Sequence, residues 1–266
     1  MKSSEPIFNI PAVVVITIVL LAVIHLVRVA VLTSAEDLEV LLRFAFIPAR
    51  YGSALAAPGE FPGGFGAEVW TFVTYALLHN DATHLGVNVV WLLPFGSAVA
   101  RRFGAWRFLA FFAVTAAAGA AMHLAAYRSQ ITMVDGSDLV IMIGASGAVS
   151  GFMAAAIRFA FQHGGPLEHW RTAGPDSYRI PAAPLLVALR NPRVLLFLGI
   201  WFALNFLFGI GGSFVPGAPQ EIAWQTHIGG FLAGLFLFPL FDPVRAPQYR
   251  DDDWHAPDGR VDGDLR

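Results

Sequence analysis

The sequence predicts an all-α fold, namely a polytopic membrane protein whose six transmembrane helices form a bundle with a folded first extracytoplasmic loop. Of the 266 residues, 56% are hydrophobic and only 14% are charged, and the mean hydropathy of +0.60 is too high for a soluble domain. The apolar residues fall into six separate runs, and the first of these is long enough to cross ~30 Å of hydrocarbon at ~1.5 Å per residue. We therefore expect an integral membrane protein with a single core, over residues 10–241.

The six predicted spans follow one another along the chain at residues 10–27, 82–99, 103–126, 146–161, 194–211 and 222–241. The first span has an alternative interpretation as a cleaved signal peptide, because Thr33, Ser34 and Ala35 resemble a small-residue cleavage site. Its apolar run exceeds the roughly 7–15 residues of a signal peptide's apolar region, which favours a transmembrane helix.

The first loop, residues 33–80, is predicted to be folded. It begins with acidic residues, continues through an aromatic stretch and ends in a segment rich in glycine and proline. Apolar side chains recur within it at helical spacing, at Leu38, Leu41, Leu42 and Ala45. This spacing predicts a short amphipathic helix that lies in the membrane interface.

The distribution of arginine predicts how the chain is oriented in the membrane. Three arginines lie between the second and third spans and five lie around the connection between the fourth and fifth, namely Arg101, Arg102 and Arg107, then Arg158, Arg171, Arg179, Arg190 and Arg193. Because arginine-rich short loops stay in the cytoplasm, both termini are expected there, as a cytoplasmic N-terminus at residues 1–9 and a flexible cytoplasmic tail at residues 242–266. We expect the host membrane to be a bacterial inner (cell) membrane.

Composition excludes several classes of function. The chain contains no cysteine, so thiol catalysis, disulfides and cysteine-based metal sites are excluded. The formal net charge of -2 provides no basic footprint for nucleic acid. We predict neither a nucleic-acid partner nor a cofactor.

Residues 143–151 place Ser146 among glycine and alanine inside a run that is otherwise membrane-like. An apolar segment gains nothing from a hydroxyl between small residues unless another group must come close to that oxygen. Counting from the outer ends of the spans places His84, Asn88 and His227 at a similar depth, in the outer third of the membrane. An unpartnered polar side chain is costly within a bilayer, so all four are functional candidates.

These four side chains suit serine-based hydrolysis. A serine hydroxyl needs an adjacent base, usually histidine, so Ser146 is predicted to be the nucleophile and His227 the base. His84 and Asn88 are spaced i and i+4, so they project from one helix face and are predicted to donate hydrogen bonds to the developing oxyanion.

Small residues on the fourth and sixth spans predict a close contact between these two helices. Gly147 and Gly151 form one GxxxG pair, and Gly230 and Gly234 form another. Such pairs let helix backbones approach closely, as a hydrogen bond between a serine and a histidine on two different helices requires.

Three motifs in the chain resemble those of the rhomboid intramembrane serine proteases. They are GxSG with its nucleophile Ser146 between Gly144 and Gly147, a histidine–glycine pattern at His227, Gly230 and Gly234, and HxxxxHxxxN at His79, His84 and Asn88. The resemblance covers residues 10–241 and implies a Ser–His dyad without an acidic third member, an oxyanion site on the second span, and supporting roles for His79 and the four glycines. It also implies an endopeptidase that cleaves transmembrane segments of single-span membrane proteins within the lipid bilayer.

The chain departs from the family's pattern at two positions. Many relatives carry a Trp-Arg pair in the first loop, whereas Trp70 is followed here by Thr71. Some relatives have an aromatic residue one turn after the serine, where it supports the histidine, and this chain has Ser150. Asn205 in the fifth span is predicted to make an interhelical hydrogen bond.

Other interpretations of the same residues are open. Glycine, alanine and serine are ordinary helix-packing residues, and His227 alone could be a hydrogen-bonded packing histidine. A metalloprotease would need His-Glu-x-x-His, whereas His79 and His84 are five residues apart and no carboxylate lies within a span core, so no metal site is predicted. A transporter would show paired midplane charges or an internal repeat, and the sequence shows neither. A catalytically silent relative that binds transmembrane helices is the remaining alternative.

The other histidines lack a motif and are expected at the interface or in solvent, at His25, His123, His163, His169 and His255.

The connection at residues 209–220 is predicted to be a mobile cap beside the fifth span. Its glycines and prolines give a permissive backbone, while Phe214 and Val215 are apolar enough to cover the mouth of a cavity. A passive hairpin is the alternative. We expect a cavity open to water on the extracytoplasmic side, because hydrolysis needs water.

Overall fold

The computed structural model describes residues 10–51, 61–130, 140–167, 174–210 and 223–244. Its α-helices, in chain order, are α1 (Ala12–Ala30), α2 (Ser34–Phe44), α3 (Gly64–Thr74), α4 (Ala82–Trp91), α5 (Ser97–Phe103), α6 (Ala105–Gln130), α7 (Ser146–Ala156), α8 (Leu185–Ala188), α9 (Pro192–Ile210) and α10 (Trp224–Phe241). The predicted N-terminus at residues 1–9, the tail beyond residue 244 and most of the predicted cap at residues 209–220 lie outside the described residues.

Four apolar segments in the described part of the chain are long enough to span a membrane, at Ala12–Ala30, Ala82–Phe103, Ala105–Arg128 and Trp224–Phe241. The second of these is continuous because a π-helical turn at Leu92–Gly96 joins α4 to α5. Two shorter apolar segments, Ser146–Ala156 and Pro192–Leu207, bring the number of membrane-like helices to six. The chain is therefore an integral membrane protein with the predicted helical-bundle fold.

The fourth helix is shorter than the predicted span at residues 146–161, because α7 ends at Ala156. Every residue of α7 after Ser146 is buried, so this helix lies inside the bundle and not against lipid. A non-helical backbone is tolerated at membrane depth where protein surrounds it. The short helix and the extended segment that precedes it are therefore compatible with a position in the membrane.

Helix α7 packs between α6 and α10, and glycines set the distances. A Cβ atom on Gly230 or Gly234 of α10 would overlap the backbone carbonyl groups of Gly147 and Gly151 on α7. On the α6 side, a Cβ atom on Gly151 would lie 2.5 Å from the side chain of Thr115. The predicted direct contact of the fourth and sixth spans is thus present, with backbone against backbone.

The described parts of the first loop, residues 33–51 and 61–80, are folded, as predicted. Helix α2 contains the predicted amphipathic segment and begins with a capping box, in which Thr33 and Glu36 each accept a hydrogen bond from the other's backbone N–H. Trp70 Nε1 on α3 donates to the carbonyl oxygen of Arg43 at 2.9 Å, and Thr74 Oγ1 donates to that of Phe44 at 2.7 Å. The two helices of this loop are therefore joined through the C-terminal end of α2.

An ion pair links helices at the C-terminal end of α10, which is the end opposite to His227. The Arg102 guanidinium on α5 donates to both carboxylate oxygens of Asp242, at 2.9 and 2.8 Å, just after α10 ends. It also donates to the backbone oxygens of Tyr178 and Ile180. One buried arginine thus fixes α5, the end of α10 and the connection between α7 and α9.

Candidate active site

Ser146 is the first residue of α7, and the extended segment before it is held by backbone hydrogen bonds. Met142 and Phe46 of the first loop exchange two N–H···O bonds of 2.9 and 3.0 Å, and Gly144 N donates to Tyr75 O at 3.0 Å. Gly144 has a φ of +122°, a backbone conformation that disfavours any side chain. The first loop therefore fixes the direction from which the chain enters α7.

The position of Ser146 at a helix N-terminus supplies hydrogen-bond donors around its side chain. The first N–H groups of a helix have no acceptor within the helix, and the helix dipole makes this end partially positive. The first bond that closes α7 comes from Val149 N to Ala145 O, so the preceding N–H groups are left for another acceptor. Ser146 is only partly buried, whereas Ala145 and Gly147 on either side are buried.

His84 borders this turn. A Cβ atom on Gly144 would lie 2.6 Å from His84 Nε2, so the imidazole occupies the space that the glycine leaves open. Asp81 caps α4 by accepting a hydrogen bond from His84 N at 2.9 Å, which fixes the start of this helix. The structure thus brings His84 next to the segment that carries the predicted nucleophile.

His227 lies in the first turn of α10. Two residues near it on this helix, Thr226 and Gly230, contact Gly147, the residue after Ser146. The methyl group of Thr226 would be 2.9 Å from a Cβ atom on Gly147, and Gly230, one turn later, abuts the Gly147 carbonyl group. Within the part of the chain that the structure describes, no hydrogen bond joins Ser146 Oγ to His227. The two helices are therefore in contact through residues near Ser146 and His227, without a hydrogen bond between these two side chains.

His227 instead makes a hydrogen bond that the sequence did not identify. Its Nδ1 lies 2.5 Å from Asn205 Oδ1 on α9, and Asn205 Nδ2 donates to Trp201 O at 2.8 Å. An interhelical hydrogen bond was predicted for Asn205, but not its partner. The available signal was a single amide in an apolar run, together with a missing aromatic residue at Ser150.

Ser150 has a local role. Its Oγ donates to Ser146 O at 2.8 Å, one turn earlier on the same helix. At the position where some rhomboids carry an aromatic residue, α7 therefore presents a short side chain that is already engaged with its own backbone.

Asn88 is buried, but its amide is engaged within its own helix. Asn88 Nδ2 donates to His84 O at 2.9 Å. The structure thus places the two predicted oxyanion donors in different states: the His84 imidazole faces the turn before Ser146, whereas the Asn88 amide nitrogen is used in α4.

His79 supports the segment before Ser146. Its Nε2 accepts a hydrogen bond from Ala145 N at 3.4 Å, and its backbone oxygen accepts one from Arg28 on α1 at 2.9 Å. Burial, reinforced by the neighbouring His84, lowers the pKa of His79 to about 3, so its imidazole is neutral at physiological pH and free to accept. Arg28 is itself paired with Asp37 of α2. A chain of contacts therefore runs from α2 through α1 to the residue before Ser146.

His25 differs from its expectation. It was predicted to lie at the interface or in solvent, yet its side chain on α1 is buried.

Among the described residues, no three His, Asp or Glu side chains are grouped closely enough to hold one metal ion.

The fold and the site together define a class: a helical membrane protein in which a serine at a helix N-terminus is packed against a histidine-bearing helix. A family model described as the Rhomboid domain matches residues 66–242, more than half of the chain, and the chain belongs to this family. Rhomboids are in general intramembrane serine proteases that act on transmembrane substrates within the lipid bilayer. No curated protein matches the chain.

Proposed function

We propose that this chain is an active intramembrane serine endopeptidase, with Ser146 as the nucleophile and His227 as the general base. It would cleave transmembrane segments of single-span membrane proteins near the extracytoplasmic boundary, with both of its termini in the cytoplasm of a bacterial cell. The observation that supports the proposal is the contact of Thr226 and Gly230, on the helix that carries His227, with Gly147, the residue after Ser146, while His227 Nδ1 bonds Asn205.

The proposed reaction proceeds by acyl transfer. Ser146 Oγ attacks the carbonyl carbon of the scissile peptide bond while its proton passes to His227 Nε2. The oxyanion is stabilised by N–H groups at the start of α7 and by the His84 imidazole. His227 then donates its proton to the leaving amine, and a water molecule, deprotonated by the same nitrogen, hydrolyses the acyl-enzyme.

The oxyanion assignment separates His84 from Asn88. Removing one oxyanion donor typically costs ~2.7–4 kcal/mol, or about 10²–10³-fold in turnover, and we expect this for His84→Ala. Asn88→Ala should have a smaller effect than His84→Ala, because one of the two N–H donors of the Asn88 amide already bonds His84 O. Full turnover of the His84→Ala, Asn88→Ala double variant would remove both residues from the site.

A catalytically silent binder of transmembrane helices is the second candidate, and the absence of a Ser146–His227 hydrogen bond within the described residues favours it. Catalytic hydrogen bonds are often long before substrate binds, which is why we favour the protease. A protease should prefer substrates with small or helix-breaking residues near the outer boundary, because a substrate helix must unwind locally to expose a peptide bond to Ser146.

The test is cleavage of a panel of single-span proteins by the purified chain in detergent. Cleavage should be lost in Ser146→Ala and His227→Ala, retained in the matched control Ser97→Ala, and insensitive to chelators. Ser97 is a suitable control because its hydroxyl is buried on α5 without a partner among the described residues. Co-purification of panel members without any cleavage would establish the silent binder instead, and zinc-reversible inhibition would overturn the serine mechanism.

A further inference from the structure

We propose that Asn205 is a positioning residue that fixes the tautomer and ring orientation of His227, so that the working unit is Ser146, His227 and Asn205 on three helices. This inference rests on the proposed function for its catalytic consequence, but not for its structural content. The resemblance to the family implies a dyad, whereas the hydrogen bond between α9 and α10 supplies a third member.

The orientation of the Asn205 amide follows from its two partners. The Trp201 backbone oxygen can only accept a hydrogen bond, so the NH₂ group of Asn205 must face it, at 2.8 Å. The amide oxygen is thereby turned toward His227 Nδ1. The opposite orientation would set two oxygen acceptors against each other.

The amide orientation in turn determines where the imidazole carries its proton. An amide oxygen can only accept, so His227 Nδ1 must be the protonated nitrogen of the neutral ring. Nε2 is then left with its lone pair. This is the tautomer that a general base for Ser146 requires, since the base must take up the hydroxyl proton on the nitrogen that faces the serine.

The surroundings of Asn205 hold it in place. Asn205 lies one turn after Trp201, and the Trp201 ring stacks on Phe231 of α10 with the ring centroids 4.7 Å apart. Trp201 is buried, although most of the apolar side chains of α9 are exposed. The same face of α9 therefore carries both the aromatic contact with α10 and the amide that reaches His227.

No group on α7 takes over this task. Ser150 is where an aromatic support would stand, and its hydroxyl donates to Ser146 O. An amide also suits the location better than a carboxylate, because it accepts the Nδ1 hydrogen bond without placing a full charge inside the membrane.

The direct test is ¹⁵N NMR of the full-length chain labelled at histidine, with the His227 signals assigned by their loss in His227→Gln. The inference predicts a protonated Nδ1 and an unprotonated Nε2 in the unsubstituted protein. In Asn205→Leu, which is similar in size but lacks both hydrogen bonds, the two tautomers should exchange. In Asn205→Asp, whose protonated carboxyl group can donate to Trp201 O and still accept from His227 Nδ1, the Nδ1–H tautomer should persist. A protonated Nε2 in the unsubstituted protein would overturn the inference.

The kinetic test follows the rate at which Ser146 reacts with a fluorophosphonate. A positioned base contributes about 10²–10⁴-fold, so loss of its orientation in Asn205→Leu should slow the reaction by roughly 10–100-fold. Asn205→Asp should recover most of that loss. Phe206→Leu is the matched control, since this side chain lies on the exposed side of α9, and it should react at the unsubstituted rate.

The outcomes separate the two proposals. An unchanged tautomer and an unchanged reaction rate in Asn205→Leu would overturn the positioning role. If the NMR result is as predicted but Ser146 does not react in the unsubstituted protein, the protease proposal fails while the Asn205–His227 assignment stands.

Discussion

Two of the neighbours of helix α10, α7 and α9, contact it in different ways. Against α7 the contact is backbone on backbone, through Gly230 and Gly234. Against α9 it is made by side chains, with Phe231 packed against two neighbouring aromatic rings of α9, Trp201 and Phe202, at centroid distances of 4.7 and 6.3 Å. A backbone contact has no rotamers and cannot adjust, whereas aromatic side chains can. The first contact therefore sets how far the histidine helix lies from the serine, and the second sets how the histidine ring is turned.

The largest effect is expected where the backbone contact is broken. In Gly230→Ala the new methyl group would overlap the Gly147 carbonyl group, and overpacking of this kind typically costs ~1–3 kcal/mol. We expect a lower unfolding temperature and loss of fluorophosphonate reaction at Ser146, because α10 must move away from α7.

Gly199→Ala is the matched control for this change. A Cβ atom on Gly199 of α9 meets nothing within 4 Å, and alanine is a better helix former by ~1 kcal/mol. Its reaction rate should be unchanged and its unfolding temperature equal or higher. Normal reactivity of Gly230→Ala would show that the glycine contact does not set the Ser–His distance.

A smaller effect is expected where the side-chain contact is broken. Trp201→Leu removes the stack on Phe231, and such aromatic pairs contribute ~0.5–1.5 kcal/mol beyond their buried area. The protein should remain folded, with a reaction rate at Ser146 that falls by less than in Gly230→Ala. Phe202→Leu removes the more distant ring, and the reaction rate at Ser146 should fall by less in this variant than in Trp201→Leu. Equal effects of Gly230→Ala and Trp201→Leu would remove the distinction between the two contacts.

The smallest effect on the reaction rate at Ser146 is expected at the contacts that support the segment before α7 from α1 and the first loop. Arg28→Met leaves the buried His79 carbonyl oxygen without its donor, which costs roughly 1–3 kcal/mol, and misplacement of the segment before Ser146 should slow its reaction. Asp37→Asn should be milder, because Arg28 can still donate to His79 O.

The comparison for this prediction is Arg43→Met, measured by thermal unfolding and by the rate at Ser146. Arg43 also forms an ion pair, with Glu39, but both side chains are about half exposed, and exposed pairs contribute ~0–1 kcal/mol. An effect of Arg28→Met no greater than that of Arg43→Met would mean that the path from α1 to Ala145 does not support the nucleophile.

The fold was predictable because its signals are local. Runs of apolar residues mark the spans, and the GxxxG spacing that begins at Gly147 and at Gly230 predicts the contact of α7 with α10. The capping box at Thr33 and Glu36 was not predicted, although it too involves only four consecutive residues. Local patterns of this kind depend little on the rest of the chain.

The parts that escaped prediction depend on distant partners. Arg28 stands at the end of an apolar run, where an arginine is ordinarily an interfacial residue, and only the fold shows that it is buried against His79 and Asp37. The extended segment before α7 is paired with Phe46, almost a hundred residues earlier in the chain. Asn205 and His227 were both recognised as polar residues in spans. Nothing in the sequence around either residue indicates that their side chains form a hydrogen bond with each other.

The central claim, that Ser146 and His227 work as nucleophile and base, is tested most directly by the covalent reaction of the purified chain with a fluorophosphonate, located by mass spectrometry. The account predicts one label, on Ser146, absent in Ser146→Ala, strongly reduced in His227→Ala and unchanged in Ser97→Ala. A label that persists in Ser146→Ala, or that forms on Ser146 at an undiminished rate in His227→Ala, would contradict it.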